Sequence, residues 1–278
     1  MNRTAIEWTD ATWNPVTGCT KVSQGCKNCY AERLAPRVFA GQKMVELKIA
    51  MPPRPRRFTD VLCHPERLDI PLHWRKPRMI FVNSMSDLFH EDVPDAFIDS
   101  VFEVMINAQD LGHIFQILTK RPERMRSFLN VKQWPRCGGM DQHPIKNIWL
   151  GVSVEDQATA DERMPLLLQT PAAVRFVSYE PALGPVDFAP WLLERLGPTR
   201  APSLGWVIAG GESGPHARPS HPDWFRSLAR QCRDAGVAFF MKQITERGRK
   251  TPFESFPPEL QVREYPDTSK KTAPLRGP

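Results

Sequence analysis

No run of about 18 apolar residues occurs in the 278 positions, so no segment is long enough to cross a bilayer as a helix. The opening segment MNRTAIEWTD lacks the apolar stretch of a secretory signal. These two absences lead us to expect a cytosolic, cytoplasmic protein with no membrane partner. A second C-x2-C pair is missing, and so is an H-x3-H pair, the spacings that commonly complete a closed zinc site. Charge imbalance is slight: 37 basic against 31 acidic residues, a formal +6 and a pI near 9.1. That excess permits nucleic-acid binding without demanding it. With 41% hydrophobic and 24% charged residues, the composition is that of a soluble globular chain.

Six cysteines are present. In a reducing compartment they are better read as metal ligands or reactive groups than as disulfides. Cys19, Cys26 and Cys29 form C-x6-C-x2-C inside Gly18-Cys19-Thr20-Lys21-Val22-Ser23-Gln24-Gly25-Cys26-Lys27-Asn28-Cys29-Tyr30. Gly18 and Gly25 let the backbone fold closely, and Lys21 and Lys27 favour thiolates. Helix-like Tyr30–Ala35 follows, adding positive potential at its start. Structural zinc takes four closed ligands, and electron-transfer [4Fe–4S] clusters usually take four cysteines. Three leave one metal position open. Two alternatives stand beside a cluster: a zinc site completed by His64 or His143, or three unrelated buried thiols. Cys63, Cys137 and Cys232 read as small buried hydrophobes.

From residue 79 one pattern repeats: a short apolar run, polar residues, then a helix-like stretch. The runs are Met79–Val82, Ile114–Leu118, Ile148–Val152, Val174–Val177, Trp206–Ala209 and Val237–Met241. Continuous apolar runs fit strands buried on both faces of a parallel sheet. Phe97, Ile98, Val101, Phe102, Met105 and Ala108 share one helical face after Val93-Pro94-Asp95, with Pro94 suited to the first turn. Phe225, Leu228 and Cys232 share another, opened by Ser220-His221-Pro222-Asp223 and stopped by Gly236. With a weak first strand near Ala5–Trp8, the units predict an α/β fold, a partial or complete (β/α) TIM-type barrel. A doubly wound open sheet is the alternative. Residues 36–77 read as a basic insertion in the first βα connection of a barrel domain over 1–243. Residues 244–278 read as a polar tail that covers the barrel or frays. Arg54–Arg57 and Arg75–Arg78 are candidate phosphate contacts, with Trp74 as a stacking partner, or simply solvated basic residues.

In parallel α/β folds the site lies beyond the carboxyl ends of the strands. Those ends read Asn83-Ser84-Met85-Ser86-Asp87, Thr119-Lys120-Arg121, Ser153-Val154-Glu155, Ser178-Tyr179-Glu180, Gly210-Gly211-Glu212-Ser213 and Lys242-Gln243. Every expected strand delivers a hydroxyl, carboxylate or ammonium group to one rim. Gly210-Gly211-Glu212 has the form of a ligand-cradling turn, and Lys120 and Arg121 could grip a carboxylate or phosphate.

Thr12–Cys19 through Cys29-Tyr30 closely resembles a bacterial and phage family, the phage Gp37/Gp68, three-Cys-motif or DUF5131 proteins. FVNSMSDLFH (81–90), LTKRP (118–122), WLGVSVE (149–155) and GGESG (210–214) match the same family. That family looks like a divergent branch of radical S-adenosylmethionine enzymes. The resemblance implies a partial (β/α) barrel and a [4Fe–4S] cluster on Cys19, Cys26 and Cys29. It implies an open iron chelating the amino and carboxylate groups of S-adenosylmethionine. One electron, from a donor such as flavodoxin or ferredoxin, would then yield a 5′-deoxyadenosyl radical that takes a hydrogen atom from substrate.

Two features depart from the common radical-enzyme pattern. The first cysteine gap is six rather than three, and Asn28 stands where an aromatic residue usually precedes the last cysteine, with Tyr30 as its stand-in. On this reading Tyr30, Ser84, Asp87, Glu155, Gly210, Gly211 and Glu212 bind cofactor, and Lys120, Glu180 and Lys242 do the chemistry. The first guess for substrate is nucleic acid or a nucleotide. The opposing expectation is a zinc-stapled nucleic-acid-binding protein without catalysis.

Overall fold

The recurring apolar runs pair side by side. A computed structural model describes residues 4–44, 54–132, 144–192, 204–246 and 249–267. Seven strands make one parallel sheet: β1 (Ala11–Trp13), β2 (Met79–Val82), β3 (Ile114–Thr119), β4 (Ile148–Val154), β5 (Val174–Tyr179), β6 (Trp206–Gly210) and β7 (Ala238–Gln243). Neighbours follow chain order from β1 to β7 with no reversal. A doubly wound sheet needs a reversal at its switch point. The helices are α1 (Tyr30–Val38), α2 (Asp95–Asn107), α3 (Pro122–Val131), α4 (Gln157–Leu168), the short α5 (Ala189–Leu192) and α6 (Pro222–Ala235).

Side-chain distribution settles the architecture. Buried residues of α2, α3, α4 and α6 join Ile80, Val82, Ile117, Leu150, Val152, Val207 and Met241 in one core. Trp8, Phe81, Trp149, Phe176, Trp206, Ile208 and Phe240 form a separate cluster on the opposite face, with no helical member. Helices therefore cover one face only, and the sheet curls into a half-barrel around the aromatic cluster. Every residue of β4 is buried, as a strand covered on both faces requires. Gly151 makes room inside: a Cβ there would lie 2.6 Å from the Phe176 ring.

Local chemistry fixes the helix ends. Asp156 caps α4 by accepting from Thr159 N, and Thr159 Oγ1 in turn accepts from Asp156 N. Pro222 opens α6, and Gly236 ends it with φ 69°. Pro94 stands one place before α2 rather than in its first turn.

Three expectations need correction. The first strand is Ala11–Trp13, not Ala5–Trp8. Asp10 brackets Met79 with both backbone and side chain and so sets the start of pairing, which frees Trp8 to fill the barrel base. The 36–77 insertion starts in the last turn of α1 and runs on to β2, so it lies in the return to β2 rather than in the βα loop. Of its basic runs, Arg57, Arg75 and Lys76 are exposed, as a solvated insertion predicts, but Arg54, Arg56 and Arg78 are engaged within the protein. Arg54 forms a two-bond pair with Asp60, both at 2.7 Å. Arg56 is buried over the Phe39 ring and donates to Thr17, Gln42 and Asp60. Residues 75–78 precede β2, at the amino end of the sheet, and Arg78 lies over Trp74.

Beyond β7 the chain folds back. Met241 N donates to Val262 O and Glu264 N to Phe239 O, which covers the outer edge of β7. Phe256 and Leu260 enter the main core. At the base, Glu7 meets Lys250, Arg263 and Tyr265, so the N-terminal segment bridges the gap between β1 and β7. No helix among the described residues is long and apolar enough to cross a membrane.

Candidate active site: the barrel mouth and its cysteine loop

Residues alternate in and out along a strand, so every second side chain past the aromatic floor points into the mouth. Lys120 Nζ lies 3.3 Å from Glu155 Oε1, and Lys242 Nζ lies 2.9 Å from Glu180 Oε1. Ser178 Oγ donates to Glu180 Oε2 at 3.0 Å. The expected catalytic trio is thus brought to one rim, but as neutralised pairs. The Gly210-Gly211 cradle is filled from within the protein. A Cβ at Gly210 would lie 2.5 Å from Glu180 Oε1, and one at Gly211 would meet Ser220 and Thr245 at 2.7 Å.

The cysteine loop crosses this mouth between β1 and α1. Its first limb is locked to the segment after β2. Asn83, in the left-handed region at φ 62°, accepts from Val16 N through its side chain, while Asn14 Oδ1 accepts from Met85 N and Ser84 Oγ. Gly18 has φ 93°, and a Cβ there would lie 2.4 Å from Asp60 O; any other residue would force the insertion away. Cys19 N donates to Phe58 O. The six-residue gap then dips into the barrel. Ser23 Oγ donates to Glu155 Oε1 at 2.8 Å, and a Cβ on Gly25 would lie 2.5 Å from the same oxygen. Cys26 ends a 3-10 turn, Gln24–Cys26. Asn28 Nδ2 donates to Glu212 Oε2 at 2.8 Å and to His216 O at 2.9 Å, so the residue before the last cysteine ties the loop to the end of β6. Cys29 directly precedes α1.

The remaining expected contacts have mixed roles. Asp87 accepts from Thr119 Oγ1, Phe89 N, Lys120 N and Arg121, which uses both its oxygens to join β2 to β3. Glu212 holds Arg218 at 2.5 Å; burial opposes its ionisation, but the Arg218 and Asn28 donors outweigh it and keep its pKa below the usual value. Tyr30 OH donates to Ser84 O at 2.5 Å; burial of that hydroxyl, with Cys29 and Glu180 adding, raises its pKa, although the side chain as a whole is 37% exposed. Glu155 stands apart. It is fully buried; Oε1 receives Ser23, Lys120 and Arg163, and Oε2 has no partner. A buried acceptor left open in a polar mouth is the feature a bound N–H or O–H would satisfy.

The expectation that lysines favour thiolates fails at Cys19. Burial, reinforced by Asp87 and partly offset by Arg121, pushes its thiol up to about 11. Lys21 pairs with Glu32 at 2.9 Å instead. Cys19, Cys26 and Cys29 are all half-exposed at the mouth. Among the described residues no three His, Cys, Asp or Glu side chains converge on one single-ion position. A multi-iron cluster spreads its thiolates over several metals, so three cysteines on one loop at the mouth suit such a group in donor set. His64 is taken by Thr17 at 2.7 Å and Glu66 at 3.0 Å. His143 and Cys137 lie outside the described residues. Cys232 is buried in the core, and Cys63 packs at its edge.

A family model described as proteins of unknown function, DUF5131, matches residues 3–273. The chain belongs to the DUF5131 family. That is the family its motifs resemble. No curated protein matches this DUF5131 chain. Among solved structures it is similar to a spore photoproduct lyase carrying a cysteine-to-serine substitution, with 12% identity and a TM-score of 0.44 over 89% of this chain. It spans 60% of that protein's length.

Several residues of the site escaped sequence reading: Ser23, Thr20, His90, Arg163 and Arg218. Arg163 left a trace, as the charged member of an otherwise apolar face with Ala160, Met164 and Leu167. Arg218 meets Glu212 only six residues away, through the turn after β6, while Ser23, Thr20 and His90 became visible only when the fold joined distant segments.

Proposed function

We propose that this DUF5131 protein is a radical S-adenosylmethionine-type enzyme. It carries a [4Fe–4S] cluster on Cys19, Cys26 and Cys29, with S-adenosylmethionine bound in the half-barrel mouth. The observation that carries the reading is the cysteine loop pinned across that mouth directly above Glu155, whose Oε2 is buried and unpartnered. When bound, cluster and cofactor supply one-electron cleavage of a sulfonium and hydrogen-atom abstraction from substrate.

The chain's own residues do the rest. Lys120, Arg163 and Ser23 hold Glu155 Oε1, which leaves Oε2 to accept from a ligand ammonium or hydroxyl. Lys242 and Glu180 offer both charges to a polar group across the rim. The aromatic floor of Phe176, Trp206 and Phe240 keeps water from entering below. An electron donor such as flavodoxin or ferredoxin would serve the half-exposed thiol edge. The basic insertion does not support a nucleic-acid surface, since Arg54 and Arg56 are engaged internally and residues 75–78 lie at the other end. Support for an anionic substrate, a nucleotide or nucleic acid, comes instead from a cleft of about 200 Å³ beside Cys29, where Lys27 and Arg33 outnumber the one lining carboxylate, Glu32.

The test is anaerobic reconstitution with iron and sulfide, followed by dithionite and S-adenosylmethionine. A brown protein that releases 5′-deoxyadenosine is expected. Cys26→Ala should abolish the cluster, while Cys232→Ala leaves iron content unchanged. A colourless protein with stoichiometric zinc would replace this reading with the zinc-stapled binding protein.

A further inference from the structure

Arg121 was expected to grip an anionic ligand. Its donors are directed elsewhere. Nε donates to Glu91 Oε2 at 2.8 Å, and NH2 donates to Thr20 Oγ1 at 2.8 Å and reaches Thr20 O at 3.5 Å. NH1 lies 3.4 Å from Asp87 Oδ2 and 3.7 Å from Cys19 Sγ. The side chain is 11% exposed. Its backbone is held as well: Arg121 N donates to Thr119 Oγ1, which itself donates to Asp87. His90 completes the arrangement. Its Nδ1 accepts from Asp92 N, so the ring proton lies on Nε2 and is donated to Thr20 Oγ1 at 2.8 Å. Thr20 Oγ1 then gives its own proton to Glu91 Oε1.

We infer that Arg121 is a positioning residue: it seats Cys19 against the end of β3 and places a fixed positive charge on that sulfur. The inference rests on the cluster reading above. Only a guanidinium fork can serve Glu91, Thr20, Asp87 and a sulfur at once, since an ammonium has three donors about one point. A charged donor to a metal-bound thiolate withdraws electron density and stabilises the more negative, reduced centre. It therefore raises the reduction potential. The same contacts restrain the loop with no metal present.

The two halves are tested on the full-length chain with Arg121→Gln, Arg121→Lys and Thr20→Val. In metal-free protein, backbone amides of residues 18–22 should exchange about tenfold faster in Arg121→Gln and several-fold faster in Thr20→Val, while β4 amides are unchanged. In reconstituted protein, a titration followed by electron paramagnetic resonance should show a lower midpoint potential for Arg121→Gln. Arg121→Lys should recover most of that potential but not the exchange protection, because it restores charge without the fork. Wild-type exchange and potential in Arg121→Gln overturn the inference and leave the functional reading intact. A wild-type chain that takes no cluster sinks the functional reading, and the exchange experiment then still decides the seating role. Should Arg121→Gln not fold, Thr20→Val decides: lost protection supports the seating, and retained protection overturns it.

Discussion

Gly25 sets how closely the cysteine loop approaches Glu155. Its missing Cβ would lie 2.5 Å from an oxygen that Ser23, Lys120 and Arg163 hold in place, so that oxygen cannot yield cheaply. Gly25→Ala should cost about 1–3 kcal/mol and lower iron per chain on reconstitution. Gly41 is the control: it has φ 78° with nothing within 4 Å, so Gly41→Ala should cost about 1 kcal/mol from backbone strain alone and leave iron content unchanged. Thermal melts paired with iron assays separate the two. His90 gives the site a pH dependence. Burial, with the Arg121 charge adding, holds its pKa below the ordinary 6.5. The unfolded chain then binds more protons than the folded one as pH falls below 6.5, so stability is lost on acidification. His64 and His113 are lowered by burial too and share the slope. Melting temperature should fall from neutral pH to about pH 5, and His90→Gln should flatten that fall while lowering stability at neutral pH. An unaltered slope would assign the effect to the other two histidines.

At the scale of elements, the strands were legible because β2 to β7 are covered on both faces and so are written as continuous apolar runs. Their ends were not. β3, β4 and β5 pair one or two residues past the apolar run, through Thr119, Ser153-Val154 and Ser178-Tyr179. The first residue past each run, Thr119, Ser153 or Ser178, is polar, so hydropathy stops before pairing does, although Val154 and Tyr179 beyond them turn back into the main core. β1 was misplaced because three residues of strand carry less apolar signal than the Ile6–Trp8 plug beside them. The three cysteines and the six rim segments could be read directly. The Lys120–Glu155 and Lys242–Glu180 pairs could not, because each joins residues 35 or 62 apart that only strand register brings together. The C-terminal segment read as polar because its few apolar residues are spaced among prolines, yet Leu260 is fully buried. Leu260→Ala should cost about 2–5 kcal/mol in urea unfolding. Ending the chain at Gln243 would also bare the β7 edge that Val262 and Glu264 cover, and such a chain should self-associate in size-exclusion chromatography. A monodisperse monomer with wild-type urea stability would remove the segment from the fold.

For the whole molecule, the half-barrel separates its two ends, with the closing aromatic packing at the base and the proposed site at the rim. β1 and β7 are not paired with each other among the described strands, so something else must close the gap. At the base that closure is Trp8. Its ring centroid lies 4.7 Å from Phe81, 6.1 Å from Trp206 and 6.5 Å from Phe176, which ties the first residues to β2, β5 and β6. Next to it, Glu7 binds Lys250, Arg263 and Tyr265 from the far end of the chain. Truncating a buried aromatic costs about 3–5 kcal/mol, and the closed seam gives little room for collapse. Trp8→Ala should therefore lower the urea midpoint strongly, and Trp8→Phe should retain most of it. In conditions where Trp8→Ala remains folded, iron uptake on reconstitution should match wild type, because every contact that fixes the cysteine loop comes from the strand tips and the insertion. Cys26→Ala should show the reverse, with a near-normal urea midpoint and no cluster. If Trp8→Ala loses iron while still folded, base and rim are coupled, and the division of labour along the barrel axis is wrong.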